Sequence, residues 1–333
     1  MSSMVDDLSD PASLPDRTEK VTVIQTHISV VFLADEFVYK VKKPVNFGFL
    51  DFSTLKKRRY YCEQEIILNR RLSKDVYIGV LPILYDGKSY RIVKQGGGAV
   101  EYAVKMKRLP EEMLMKSLFL QGKLEAHHLK KLANVLAQFH LTSLNSSYID
   151  KYGEPEMFAI NTDENFEQTE KYIEITIQKK DFQALKRWTA DFYHAHSELF
   201  WERIKAKRIR DCHGDLHMEH ICLTNDLPIF DCIEFNDRFR YTDSACDIAF
   251  LLMDLEYHGG NAFSKELWDF YRKNAGEKTE VDSLLTFYKV YRAYVRAKVS
   301  SFQVDDEKIG AEKREQALQT AKRYFQLARS YID

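Results

Sequence analysis

Residues 210–236 read RDCHGDLHMEHICLTNDLPIFDCIEFN, a short strand-like stretch set inside otherwise helical sequence. Its first half places a carboxylate, Asp215, in a tight loop after His213 and Gly214, with His220 five residues further on as a potential metal ligand. A hairpin then returns the chain to Asp231, a second carboxylate on the returning strand. One carboxylate suits orienting a hydroxyl, and the other suits holding a metal ion against phosphates. Phosphoryl transfer needs those two services and little covalent help from a protein.

Working outward toward the N-terminus, the chain changes period. VTVIQT, ISVVFLA and FVYKVKK are rich in β-branched and aromatic residues and read as strands. Residues 54–72 turn to helical periodicity, with Leu55, Cys62 and Ile66 on one face and Asp51 or Ser53 as the expected cap. Strands return in GVLPILY and SYRIVKQ, joined by the hairpin signal Tyr85-Asp86-Gly87-Lys88, and end in EYAVKMKRL. The Gly96-Gly97-Gly98 run lacks the Lys-Ser/Thr and helix of a phosphate-binding P-loop and reads as a hairpin connection. From Pro110 onward helical patterns dominate, including residues 165–177, 181–206 and 311–331. The expected division is a flexible tail over 1–20, a sheet-and-helix lobe over 21–109 and a mainly helical lobe over 110–333.

Bulk properties narrow the function. With 333 residues, 45% of them hydrophobic, the chain can bury a full core in two lobes. A formal net charge of −1 argues against the basic footprint of a nucleic-acid binder. No run approaches the roughly 20 apolar residues that span a bilayer, so no membrane association is expected. The five cysteines are odd in number and form no CxxC pair, which points to a reducing, cytoplasmic compartment. Cys212, Cys222 and Cys232 are expected as buried thiols on neighbouring strands.

The HGDLH segment with its following Asp231 resembles the catalytic loop and metal-binding Asp of kinase-fold enzymes, in the form found in the aminoglycoside phosphotransferase and choline kinase-like family. VYKVKKPVNFGFLDFSTL, RDCHGDLH and FDCIEFNDRF resemble a bacterial subfamily of predicted kinases. The resemblance implies an α+β, two-lobed, protein-kinase-like fold with an N-terminal antiparallel sheet plus helix and a mainly helical C-terminal lobe. It implies ATP and Mg2+, or Mn2+, as cofactors and a small-molecule hydroxyl as acceptor. Asp215 would be the catalytic base and Asp231 a metal ligand. Lys40 would contact the α- and β-phosphates, with Glu65 as its helix partner. Lys107 to Leu109 would form the hinge that holds adenine, and Asp247 would brace the catalytic loop.

Two departures accompany the match. His220 stands where the second metal ligand is normally Asn, and no glycine-rich loop precedes Lys40. Lys42 and Glu63 compete with Lys40 and Glu65 on residue type alone. Arg238 and Arg240 read either as surface ion-pair partners or as contacts for an anionic acceptor. Asn161, Glu164 and Asn165 are candidate acceptor residues. The same site would also serve an enzyme acting on a macromolecule, or a non-catalytic nucleotide-binding module.

Overall fold

The computed structural model describes residues 3–306 and 310–333. In chain order, α1 (Met4–Leu8) precedes β1 (Thr22–Gln25), β2 (Ser29–Leu33), β3 (Phe37–Lys42), α2 (Leu55–Asn69), β4 (Tyr77–Tyr85), β5 (Tyr90–Ile92), β6 (Glu101–Lys107) and α3 (Met115–Leu120). There follow α4 (Ala126–Thr142), α5 (Ser147–Asp150), α6 (Pro155–Thr169), α7 (Lys179–Lys205), β7 (Ile209–Asp211), α8 (Asp237–Arg240), β8 (Tyr241–Asp243), α9 (Ser244–Tyr257), α10 (Asn261–Ala275), α11 (Val281–Val304) and α12 (Ala311–Ser330). These form two compact units, one of Met1–Leu124 with Glu219–Asp237, the other of Glu125–Met218 with Arg238–Asp333. The boundary expected after residue 109 is therefore moved, and the hairpin carrying Asp231 belongs with the sheet.

The first unit is built on an antiparallel sheet of order β1-β2-β3-β6-β4-β5. Strand alternation sends Tyr39 and Val41 of β3 to one face, where they pack with Phe32, Ile83 and Ala103. Residues 3–20 do not behave as the expected tail, and residues 1 and 2 lie outside the described residues. Leu8 and Leu14 are buried in this same cluster, and Asp16 accepts from the Tyr39 hydroxyl at 2.6 Å. The acidic composition hid two leucines whose burial outweighs the entropy of ordering a short segment. On the opposite face, Cys62 and Ile66 of α2 pack on Val76, Tyr77 and Val104.

Helix α2 starts where its true cap lies. Thr54 accepts from the Lys57 N–H, so neither Asp51 nor Ser53 serves. Asp51 instead takes both the N–H and the hydroxyl of Ser53, at 3.0 and 2.6 Å, closing its own turn.

The second unit is helical around a core of Phe166, Phe182, Leu185, Phe250, Met253, Tyr294 and Phe325. Its α6 begins at Pro155 in the first turn and ends at Thr169, ahead of the 165–177 expectation, because proline is pre-organised for a helix start. The pair β7–β8 is its only paired ladder among the described residues. Cys212, Cys222 and Cys232 are buried as expected, but they do not sit on neighbouring strands; none of the five cysteines forms a disulfide. No described helix is long and apolar enough to cross a membrane.

Candidate active site

In the sheet-bearing unit the alternation that buries Tyr39 and Val41 turns Lys40 and Lys42 together toward α2. Lys40 Nζ lies 2.6 Å from Asp231 Oδ1 and 3.0 Å from Glu65 Oε1, the latter off the hydrogen-bond direction. Burial opposes the Lys40 charge, yet Asp231 and then Glu65 hold its pKa well above that of an ordinary lysine. Glu65 is 0% exposed, so its second oxygen also needs a cation. Lys42 supplies it at 2.6 Å and pairs in addition with Glu234. Burial would raise the Glu65 pKa, but Lys40 and Lys42 bring it below the usual carboxylate range.

The structure thus separates one of the two pairs that residue type left open. Glu65 faces inward, whereas Glu63 makes a surface pair with Arg59 at 2.9 Å. Lys42, the same-face neighbour of Lys40, is 2% exposed and belongs to the same cluster. The period-two spacing of Lys40 and Lys42 signalled a shared face, but nothing local signalled that Glu234 would meet it.

Asp231 sits in the left-handed region at φ 62°, a conformation that costs a non-glycine residue about 1–3 kcal/mol. Two anchors hold it there: its N–H donates to the Tyr77 hydroxyl at 3.1 Å, and the Cys232 N–H donates to Asn69 Oδ1 at 2.8 Å. With Oδ1 turned to Lys40, Oδ2 lies 3.4 Å from His220 Nε2. That separation lets both atoms contact one small cation at about 2.1 Å each, so carboxylate and imidazole fit a divalent metal. Imidazole suits manganese or another transition metal better than magnesium.

The hinge segment is partly committed. The Lys107 N–H donates to Val76 O and the Arg108 N–H to Glu36 O, both at 2.8 Å. The Lys107 N–H is therefore engaged within the sheet-bearing unit, and Leu109, two residues on, packs against the cluster of Cys62, Ile66, Val76, Tyr77 and Val104.

In the helical unit the HGD loop is held from beneath. Asp247, on the first turn of α9, is 0% exposed and accepts from the His213 N–H at 3.0 Å and the Gly214 N–H at 2.8 Å. His140 Nε2 reaches the same carboxylate at 3.1 Å. Burial would raise the Asp247 pKa, but the His140 hydrogen bond and neighbouring cations depress it far below the ordinary carboxylate value. Arg292 closes the loop from the other side, donating to Gly214 O at 2.9 Å, while Gly214 takes φ 86°. Asp215 is left at the loop tip with a third of its side chain exposed and His217 Nε2 at 3.6 Å. His194 and His196 take no part among these contacts. Arg240 is buried on Asp211, and Arg238 makes a two-pronged pair with Glu164 at 3.0 and 2.6 Å.

Comparison with known proteins gives this arrangement its context. Uncharacterized proteins of Mycobacterium tuberculosis and Mycobacterium bovis are 34% identical over 284 residues, covering 84% of this chain and 54% of theirs. The chain therefore spans about half the length of the curated relatives it matches. An aminoglycoside 2′-phosphotransferase-IIIa in complex with GDP shares the fold at a TM-score of 0.53 and 14% identity, over 92% of this chain and 91% of that one. A microcompartment-associated aminopropanol kinase does so at 0.51 and 12%, over 94% and 92%. Those likenesses establish the α+β, protein-kinase-like fold. Residues 63–282, spanning α2 through the HGD loop, Asp231 and Asp247, match the phosphotransferase enzyme family, and to that family the chain belongs.

Proposed function

We propose that this chain transfers the γ-phosphoryl group of ATP to a hydroxyl of a small molecule. The observation that carries the reading is Lys40, whose ammonium is presented between Glu65 and Asp231 by a strand and a helix of one unit. A lysine so held is poised to meet phosphate oxygens, and the carboxylates flanking it keep it charged. Leu109 and the segment around it would supply the backbone contacts to adenine.

Asp231 and His220 would hold the divalent ion, magnesium or manganese, which neutralises phosphate charge when bound. Asp215 would orient the acceptor hydroxyl and take its proton as the oxygen attacks the γ-phosphorus. The bond from that phosphorus to the β-bridging oxygen then breaks, and ADP leaves with the electron pair. Asp247 and Arg292 keep the loop in one shape, so Asp215 needs no rearrangement at the moment of reaction. Five buried thiols that form no disulfide fit a reducing, cytoplasmic setting.

The test is thermal stability with ATP, GTP and ADP, each with magnesium, manganese or neither, for wild type and Asp231→Ala. Saturating nucleotide at a hundredfold excess over its dissociation constant raises stability by about 2.7 kcal/mol. The reading requires a metal-dependent shift that Asp231→Ala abolishes; no shift with any nucleotide overturns it.

A further inference from the structure

On one face of α6, two helical turns apart, Asn161 keeps a buried acceptor without a partner and Gln168 receives a lysine of α11 that has no ion-pair partner among the described residues. Glu164, near the middle of that face, gives both carboxylate oxygens to Arg238, at 3.0 and 2.6 Å. Lys298, on α11, feels the charge of Glu164 but makes no ion pair with it or with any other described carboxylate. Its hydrogen-bond partner is the neutral Gln168 side chain, Nζ to Oε1 at 2.9 Å, and its Nζ lies 5.9 Å from the centre of the Phe302 ring. Two cations thus face one saturated carboxylate. Arg292 and Arg296, earlier in α11, do not share this surplus, since Asp215, Asp247 and Asp254 act on them.

At the other end of the face, Asn161 is 7% exposed and its Oδ1 has no hydrogen-bond partner. A buried acceptor left unmade costs about 1–3 kcal/mol, a debt a bound donor would cancel. Asn161 and Gln168 lie about 10 Å apart along the helix axis.

From this juxtaposition we infer that the acceptor molecule carries a negative group, phosphate or carboxylate, which pairs with Lys298, and a hydroxyl that donates to Asn161. The acceptor is then a sugar or polyol bearing an anion, not an amino alcohol, because an ammonium group would meet Lys298 and Arg238. Burial pushes the Lys298 pKa down to about 8, Glu164 raising it and Arg238 lowering it further, consistent with a lysine that lacks a full counter-charge. The inference rests on the kinase reading for its chemistry but not for its test.

Inorganic phosphate and acetate are titrated at constant ionic strength against wild type, Lys298→Gln, Lys298→Arg and Lys40→Met, with thermal stability as the readout. Phosphate, acetate or both should stabilise wild type and Lys40→Met, which separates this site from the nucleotide phosphates. Affinity should fall about tenfold in Lys298→Gln and return in Lys298→Arg. Which anion binds more tightly distinguishes a phosphate ester from a carboxylate. Metal–ATP should still shift Lys298→Gln; its failure to shift wild type would overturn the kinase reading and leave the anion result standing. No stabilisation of wild type by either anion, equal affinity in Lys298→Gln, or stronger stabilisation by glucosamine than by glucose 6-phosphate would each overturn the inference.

Discussion

Glu65 in the sheet-bearing unit and Asp247 in the helical unit are both carboxylates at 0% exposure, yet they are neutralised by different kinds of partner. Glu65 is held by the ammonium groups of Lys40 and Lys42, at the ends of long side chains. Asp247 is held by two backbone N–H groups and one imidazole. Lysine ends reorient by rotating about several bonds, so on the proposed reading the first cluster would exchange partners for the phosphates of a bound nucleotide. Backbone amides cannot move without moving the loop, so the second arrangement fixes Asp215 in advance. On the proposed reading the two would serve as an adaptable clamp for a variable ligand and a rigid platform for the reacting group.

The comparison breaks first at the loop tip. Replacing Asp215 with Asn keeps the shape of the loop and removes its proton acceptor. Turnover should fall by about 10³-fold while the metal–ATP thermal shift stays at its wild-type size. Retained turnover would take Asp215 out of the reaction.

The clamp is tested next by Lys42→Met, which strands Glu234 and half of Glu65 as buried charges. About 3 kcal/mol of stability should be lost in urea unfolding, and Lys42→Met with Glu234→Gln should recover part of it. Equal losses in the single and double variants would show that the lysine matters through packing and not through charge.

The platform is also tested by pH. Asp247→Asn should cost about 2 kcal/mol near neutrality, because one side-chain oxygen becomes a donor facing an N–H. The folded-state pKa of Asp247 lies below its ordinary 3.8, so its ionised form stabilises the fold fully above that value. That contribution declines as pH falls below 3.8 toward the folded-state pKa, and the gap between wild type and Asp247→Asn should narrow over the same range. A constant gap in melts between pH 6 and pH 3 would count against the assignment.

The smallest effect serves as the control. Glu63→Gln removes a surface pair with Arg59 on the same helix as Glu65. It should change stability by less than about 0.5 kcal/mol and leave nucleotide binding alone. Any loss of ATP affinity there would mean that the helix, and not the buried pairing of Glu65, sets the site.

Much of this was legible along the chain. The strand, helix and hairpin order of the first unit, the Lys40 face of β3 and the HGD loop all follow from local period and turn chemistry. What failed were choices among like residues and the fate of polar-looking segments. Residues 3–20 read as loose because acidic composition says nothing about whether two leucines find a core. The cap of α2 passed from Asp51 and Ser53 to Thr54 because Asp51 closes a turn of its own.

By itself the sequence determined the elements, the loop that carries Asp215 and the strand lysines, since periodicity and glycine or proline chemistry act over a few residues. Only the tertiary structure decided that Glu65 and not Glu63 is buried, that Lys42 joins the cluster through Glu234, and that Lys298 meets the Gln168 amide without an ion pair. Those outcomes depend on which side chains far apart in the chain are desolvated together, and desolvation is a property of the packed fold and not of any local stretch.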